Sequence, residues 1–165
     1  MAPFGSRKDE EPLRIQVLTQ DYLVEGNAVF SGQNFIRLIY MTDVTMRAAR
    51  GDADPVPRGS TWSVGETMAG VIGFIGQDQA AQEKVLEWGN AGKHELQADI
   101  YTGPYRVRGT LLATDDDPEV LANLLPTVVR DAQVDCLAPG STLGSFQAPA
   151  ILLYMTQLQG IVLAG

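Results

Sequence analysis

Tyr22-Leu23-Val24-Glu25-Gly26 and Tyr105-Arg106-Val107-Arg108-Gly109 carry one pattern, Tyr-x-Val-x-Gly, at two places in the chain. The tyrosine and valine stand two apart, so on an extended strand they share a face. The glycine two residues further lies on that face as well, where a side chain would be too large or where the strand must bend. Tight bends at such glycines are what a small barrel needs to close. An alternating apolar segment precedes each copy: Ile15 and Val17 in the first, Leu96, Ala98 and Ile100 in the second. That spacing is strand period.

Two alignments extend the repeat. The first matches Tyr40-Met41-Thr42 with Tyr154-Met155-Thr156, but it loads the second copy with a long insertion. The second matches Asp43-Val44-Thr45-Met46 with Asp131-Ala132-Gln133-Val134. It then sets Gly59-Ser60-Thr61 against Gly140-Ser141-Thr142 and Gly70-Val71-Ile72 against Gly160-Ile161-Val162. It keeps four landmarks in order and is adopted here, with the shared Tyr-Met-Thr read as coincidence. Repeats decide architecture, and this one divides the chain into a polar tail (1–13), a β module (14–76), a helical linker (77–94) and a second β module (95–165).

Tyr-x-Val-x-Gly, a polar or Leu-rich segment, a stretch ending in Asp-[Val/Ala]-x-[Met/Val] and a closing apolar strand together resemble a family of small, uncharacterised bacterial β-domains, here in tandem. The Leu-Leu segment is clear only in the second copy, at Leu121–Leu125, and the residues before the shared aspartate differ, Met41-Thr42 against Val129-Arg130. The resemblance implies a β fold and brings no activity or site residues.

The remaining segments fit a mainly β chain. Arg14–Phe30 reads as an alternating strand segment with a turn or a kink within it at Gln20-Asp21, and Gly103-Pro104 and Ser31-Gly32-Gln33-Asn34 read as turns. Residues 35–47, 62–76, 132–137 and 151–163 read as strands, and 48–60 and 138–144 as loops. Gln77–Gly89 reads as helix, capped by Asp78 and stopped by Gly89 and Gly92. A second short helix is expected after Asp117, a cap followed by Pro118 at the first helical position. The fold expected is a tandem pair of small β-barrel or β-sandwich modules with one or two short helices.

The chain has 165 residues, 45% apolar and 19% charged, with net charge −8. This is a globular composition. The acidic balance repels polyanions, and no basic run supplies the counterion release on which nucleic-acid affinity rests. The one pair Arg7-Lys8 is followed at once by Asp9, Glu10 and Glu11. The single cysteine, Cys136, leaves no intramolecular disulfide, which suits a reducing compartment. No stretch approaches the ~20 unbroken apolar residues of a membrane span, and residues 1–12 lack the apolar core of a signal peptide. The expectation is a cytoplasmic protein.

Each residue with chemical capacity has a plain structural reading. His94, the only histidine, stands between Lys93 and Glu95 on the approach to a strand and reads as a surface residue. Ser60 and Ser141 sit in no Gly-x-Ser-x-Gly elbow. Cys136 lies among apolar residues and reads as a buried small hydrophobe. Asp115-Asp116-Asp117 ends at Pro118 instead of spacing ligands toward a glutamate as a calcium loop does, so helix capping explains it. Asp52 and Asp54 read as a solvated loop, and no cysteine and histidine cluster supports zinc. Gly70, Gly73 and Gly76 lack the Gly-Lys-Ser/Thr of a phosphate loop and read as close strand packing. Val56-Pro57-Arg58-Gly59-Ser60 reads as an exposed, protease-sensitive loop.

The tyrosines, Tyr22, Tyr40, Tyr101, Tyr105 and Tyr154, read as core and rim packing. Arg106 and Arg108 beside Tyr105 are the sole local hint of a stacking platform.

No catalytic, cofactor-binding or metal residues are assigned, and no cofactor. The chain reads as a non-enzymatic protein-interaction or self-assembly module. Its edges are expected near the closing strands 68–76 and 151–163, where a partner strand can add. The alternatives are a small-barrel nucleic-acid or nucleotide-binding protein, and an enzyme whose site converges only in space.

Overall fold

The computed structural model describes residues 13–31, 37–51, 61–63, 70–89, 92–114, 127–154 and 158–164. Among them, β1 (Leu13–Thr19), β2 (Tyr22–Ser31), β3 (Arg37–Ala48), β4 (Thr61–Ser63) and β5 (Val71–Gly76) precede the helix α1 (Gln79–Trp88). β6 (His94–Thr102), β7 (Tyr105–Ala113), β8 (Thr127–Cys136), β9 (Ser145–Leu153) and β10 (Leu158–Leu163) follow it. All ten strands join one antiparallel sheet in the order β10-β6-β7-β8-β9-β5-β1-β2-β3-β4. The mainly β expectation holds.

The expected barrel does not form: the sheet is open, with β10 and β4 at its ends. Closing either half would bring β4 to β5, or β9 to β10. Instead β9 takes β5 as its neighbour, and that pairing uses up the inner edge of both halves. Two strands expected as single runs are also divided. Residues 62–76 contain β4, at one end of the sheet, and β5, at its centre. Residues 151–163 contain the end of β9, central, and β10, at the opposite end. β8 starts earlier than the expected 132, at Thr127. The expected helix from Asp117, the tail up to residue 12 and most of loop 48–60 lie outside the described residues, while Leu13, expected in the tail, opens β1.

Read outward from the centre, one half runs β5-β1-β2-β3-β4. The other half, read in the same direction across the sheet and so inward toward the centre, runs β10-β6-β7-β8-β9. The registers agree residue by residue. Val24 faces Val17 as Val107 faces Ile100, and Gly26 faces Ile15 as Gly109 faces Ala98. β2 and β3 slip register at Gly26, and β7 and β8 slip at Gly109. Opposite each glycine the partner strand holds an aspartate at positive φ: Asp43 and Asp131, both at 51°. These are β-bulges, which bend a strand and increase its twist. Aspartate tolerates this left-handed conformation better than most residues. A Cβ on Gly26 would stand 2.7 Å from the Thr42 carbonyl oxygen, and one on Gly109 2.7 Å from that of Arg130.

After each aspartate the inward alternation changes phase: Met41 gives way to Val44 and Met46, and Val129 to Ala132 and Val134. The register also corrects the alignment of the closing strands. Gly73, not Gly70, stands where Gly160 stands: Gly73 faces Leu18 and Gly160 faces Tyr101, each one residue before the facing strand's end threonine, Thr19 or Thr102. Thr61 likewise corresponds to Ala150 rather than to Thr142, since they face Thr42 and Arg130 respectively.

Two apolar clusters hold the sheet. One gathers Ile100, Tyr105, Val107, Leu111 and Val134 of the second half. The other gathers Ile15, Val17, Val24 and Met41 of the first half with Ala81 and Val85 of α1. β5 and β9 feed both: Ile72, Ile75, Ile151 and Leu153 enter one cluster, Val71, Phe74, Ala150 and Leu152 the other. This explains why all six residues of β5 are buried. As the sequence predicts, Asp78 caps α1, its carboxylate accepting from the Ala81 N–H at 2.8 Å. Asp78 thereby satisfies one of the donors a helix start leaves open.

Candidate interaction edges

The inner junction and the outer edges of the sheet are built from corresponding strands in opposite circumstances. At the junction, Gly73, Phe74 and Ile75 of β5 face Leu153, Leu152 and Ile151 of β9. The backbones approach so closely that a Cβ on Gly73 would lie 2.6 Å from the Leu152 carbonyl oxygen. Beside the ladder, the Tyr105 hydroxyl donates to the Thr19 carbonyl at 2.8 Å. The Cys136 thiol donates to the Ala49 carbonyl at 3.1 Å, and the Gly51 N–H to the Pro139 carbonyl at 3.2 Å. Burial, and the nearby Cys136 and Asp21, push the Tyr105 hydroxyl pKa far above its usual value. It serves as a neutral donor. Tyr154 is likewise pushed up, to about 12, by burial.

This arrangement corrects the expected edges. Val71–Gly76 has neighbours on both sides, β1 and β9, and Ile151–Leu153 has β8 and β5. Among the described residues the edges are β4 and β10. β4 is three residues long. β10, Leu-Gln-Gly-Ile-Val-Leu, has neither a charge nor a proline, the devices by which natural edges discourage pairing. None of its residues is fully buried, and Val162 is 58% exposed.

Among the described residues the polar side chains are engaged in structural contacts. Asp135 is the best-supported charge: Arg106 reaches its carboxylate at 2.8 Å, the Ser145 hydroxyl at 2.5 Å and the Gln133 amide at 3.1 Å. The Ser145 hydrogen bond, with those of Arg106 and Gln133, outweighs burial and lowers its pKa to about 2. This is a fixed carboxylate holding β7, β8 and β9 in register. Glu25 is lowered similarly, foremost by Gln77, with Gln16 and Arg14 adding to it. Arg108 lies 3.7 Å from Asp99, so both arginines flanking Tyr105 face carboxylates, and Tyr105 itself is in the core. That is no platform for a base.

His94 is exposed at the start of β6. Cys136 is half-buried rather than buried. The Ser141 hydroxyl accepts from the Leu143 N–H within its own loop. Ser60, Asp52, Asp54 and the Asp115–Asp117 run lie outside the described residues. Among the described residues no group of histidine, cysteine, aspartate and glutamate could hold a metal, and no helix is long and apolar enough to cross a membrane.

Sequence reasoning missed β10 as the free edge, because Ile151–Leu163 reads as one apolar run. The available signal was Gly160, the counterpart of Gly73, which marks a separate strand. Searches against protein-family models, curated proteins and solved structures find no match for this chain.

Proposed function

We propose that the chain is a non-enzymatic interaction module made of two copies of one five-strand unit, and that its sheet edges are the surfaces that receive a partner strand. The common strand order, the matching registers and the paired Gly26–Asp43 and Gly109–Asp131 bulges support the duplication. The observation that carries the function is β10: an uncharged, proline-free edge strand with a large apolar side chain in solvent. Such an edge offers unpaired backbone groups for strand addition. The net charge of −8 and the ion-paired Arg106 and Arg108 favour a protein partner over a nucleic acid.

The test is binding of protein partners, including a second copy, to the parent chain and to Ile161→Pro. Proline removes an N–H donor in mid-strand. Loss of binding with an unchanged circular dichroism spectrum supports the reading, and binding that ignores the proline refutes it.

A further inference from the structure

The inner junction is a template for an outer one. β10 holds in its half the place of β5, since Ile161 faces Ile100 as Phe74 faces Val17. β4 holds the place of β9, since Trp62 faces Met41 as Ile151 faces Val129. The two free edges are therefore complementary in the sense in which β5 and β9 are.

Burial points the same way. Among the described residues, the large apolar side chains left exposed are Tyr40, Leu137 and Val162, at 37%, 51% and 58%. Each corresponds to a residue buried near the junction. Val162 faces Asp99 as Ile75 faces Gln16, and Ile75 is 2% exposed. Tyr40 faces Val29 as Val128 faces Leu112, and Val128 is fully buried. Leu137 donates its N–H to Pro104 as Ala49 donates to Asp21, both at 2.7 Å, and Ala49 is fully buried. Val162 and Leu137 belong to the half that would present β10, Tyr40 to the half that would present β4. The apolar residues in solvent are those that a repeat of the junction would cover.

We propose that β10 of one copy adds antiparallel to β4 of the next in the register that joins β5 to β9, so that the chain self-associates head to tail. Ile161 then faces Ser63 and Val162 faces Trp62. Such a contact is heterologous: it closes a ring if the rotation allows and otherwise extends a filament. This rests on the module reading above and names a second copy as the partner.

The experiment is light scattering across a concentration series, joined to cysteine cross-linking in a Cys136→Ser background. The expected result is a mass that rises with concentration. Val162→Lys, at an exposed position, should keep the parent's unfolding midpoint yet raise the concentration for half-assembly at least tenfold. Under oxidation, Ser63→Cys/Ile161→Cys should give a disulfide-linked ladder or ring, while neither single variant dimerises. A monomer at every concentration overturns the proposal, as does assembly indifferent to Val162→Lys, or a dimer linked through one cysteine variant alone. A monomer that still captures a protein partner, and loses it in Ile161→Pro, overturns self-pairing while sparing the module reading. Capture indifferent to Ile161→Pro overturns both.

Discussion

The two halves share a strand order and differ at their outward strands. In the first half β5 is buried on both faces, while its counterpart β10 has no fully buried residue. In the second half β9 runs nine residues, while its counterpart β4 runs three. The first half also has α1 against its core, where Phe30, Phe74, Trp88 and Tyr154 make a chain of ring contacts 4.5–5.5 Å between centroids. Equivalent backbone positions thus carry different loads according to whether a neighbour strand is present. Burial supplies the difference: apolar area removed from water contributes roughly 25 cal/mol per Å², and of the corresponding pairs β5/β10 and β9/β4 it is the junction strand that has a neighbour on both sides.

The sharpest way to break the comparison is at its paired glycines. Gly73→Ala drives a methyl against the Leu152 carbonyl, whereas a Cβ on Gly160 meets nothing within 4 Å. Urea titration should show a loss of about 2–4 kcal/mol for the first and under about 0.5 kcal/mol for the second. Equal losses would mean the strands are not in the positions described.

The bulge glycines come next. Gly26→Ala and Gly109→Ala should each cost about 1–3 kcal/mol. Gly109 should cost more, because Val129 also lies 2.8 Å from the added carbon, against 3.3 Å for the nearest side chain at Gly26.

A smaller effect separates the halves chemically. Asp135 has its ion pair with Arg106, while Arg47 and Leu23 face each other at the corresponding places. The folded pKa of about 2 lies below the ordinary 3.8. The stabilisation is therefore complete above about pH 4 and is lost as pH falls through 2. Asp135→Asn should lower stability by about 1–2 kcal/mol at pH 7 and flatten the acid limb between pH 4 and 2. A variant that tracks the parent's acid limb would assign that limb to other carboxylates. Tyr105→Phe removes only the hydroxyl bond to Thr19 and should cost about 1 kcal/mol, read as a shift in urea midpoint.

Local periodicity made the strands of the hairpins legible: Leu96 to Val107 alternates about the turn Gly103-Pro104, Ile15 to Val24 alternates about Gln20-Asp21, which reads equally as a turn or a kink, and Asp78 announced α1 through its cap. The bulges were half-legible, since the glycines and aspartates were visible but not that they face one another. Pairing between distant strands was not legible. Ile151-Leu152-Leu153 and Leu158–Leu163 are both apolar, and only long-range contacts decide that one is central and the other an edge. An apolar run buried on two faces looks the same in sequence as one awaiting a partner. The candidate edges were therefore placed on 68–76, whose strand β5 is central, and on the whole of 151–163, of which only β10 is an edge.

Residue-resolved amide hydrogen exchange at two protein concentrations tests the central claim most directly, because exchange reports the pairing of each strand. The account predicts strong protection of Phe74, Ile75, Ile151 and Leu152 at both concentrations. It predicts protection of the outward-facing amides of Leu158–Leu163 only at the higher one. Exchange in β5 and β9 as fast as in β10 at the lower concentration, or no gain of protection in β10 at the higher, would contradict it.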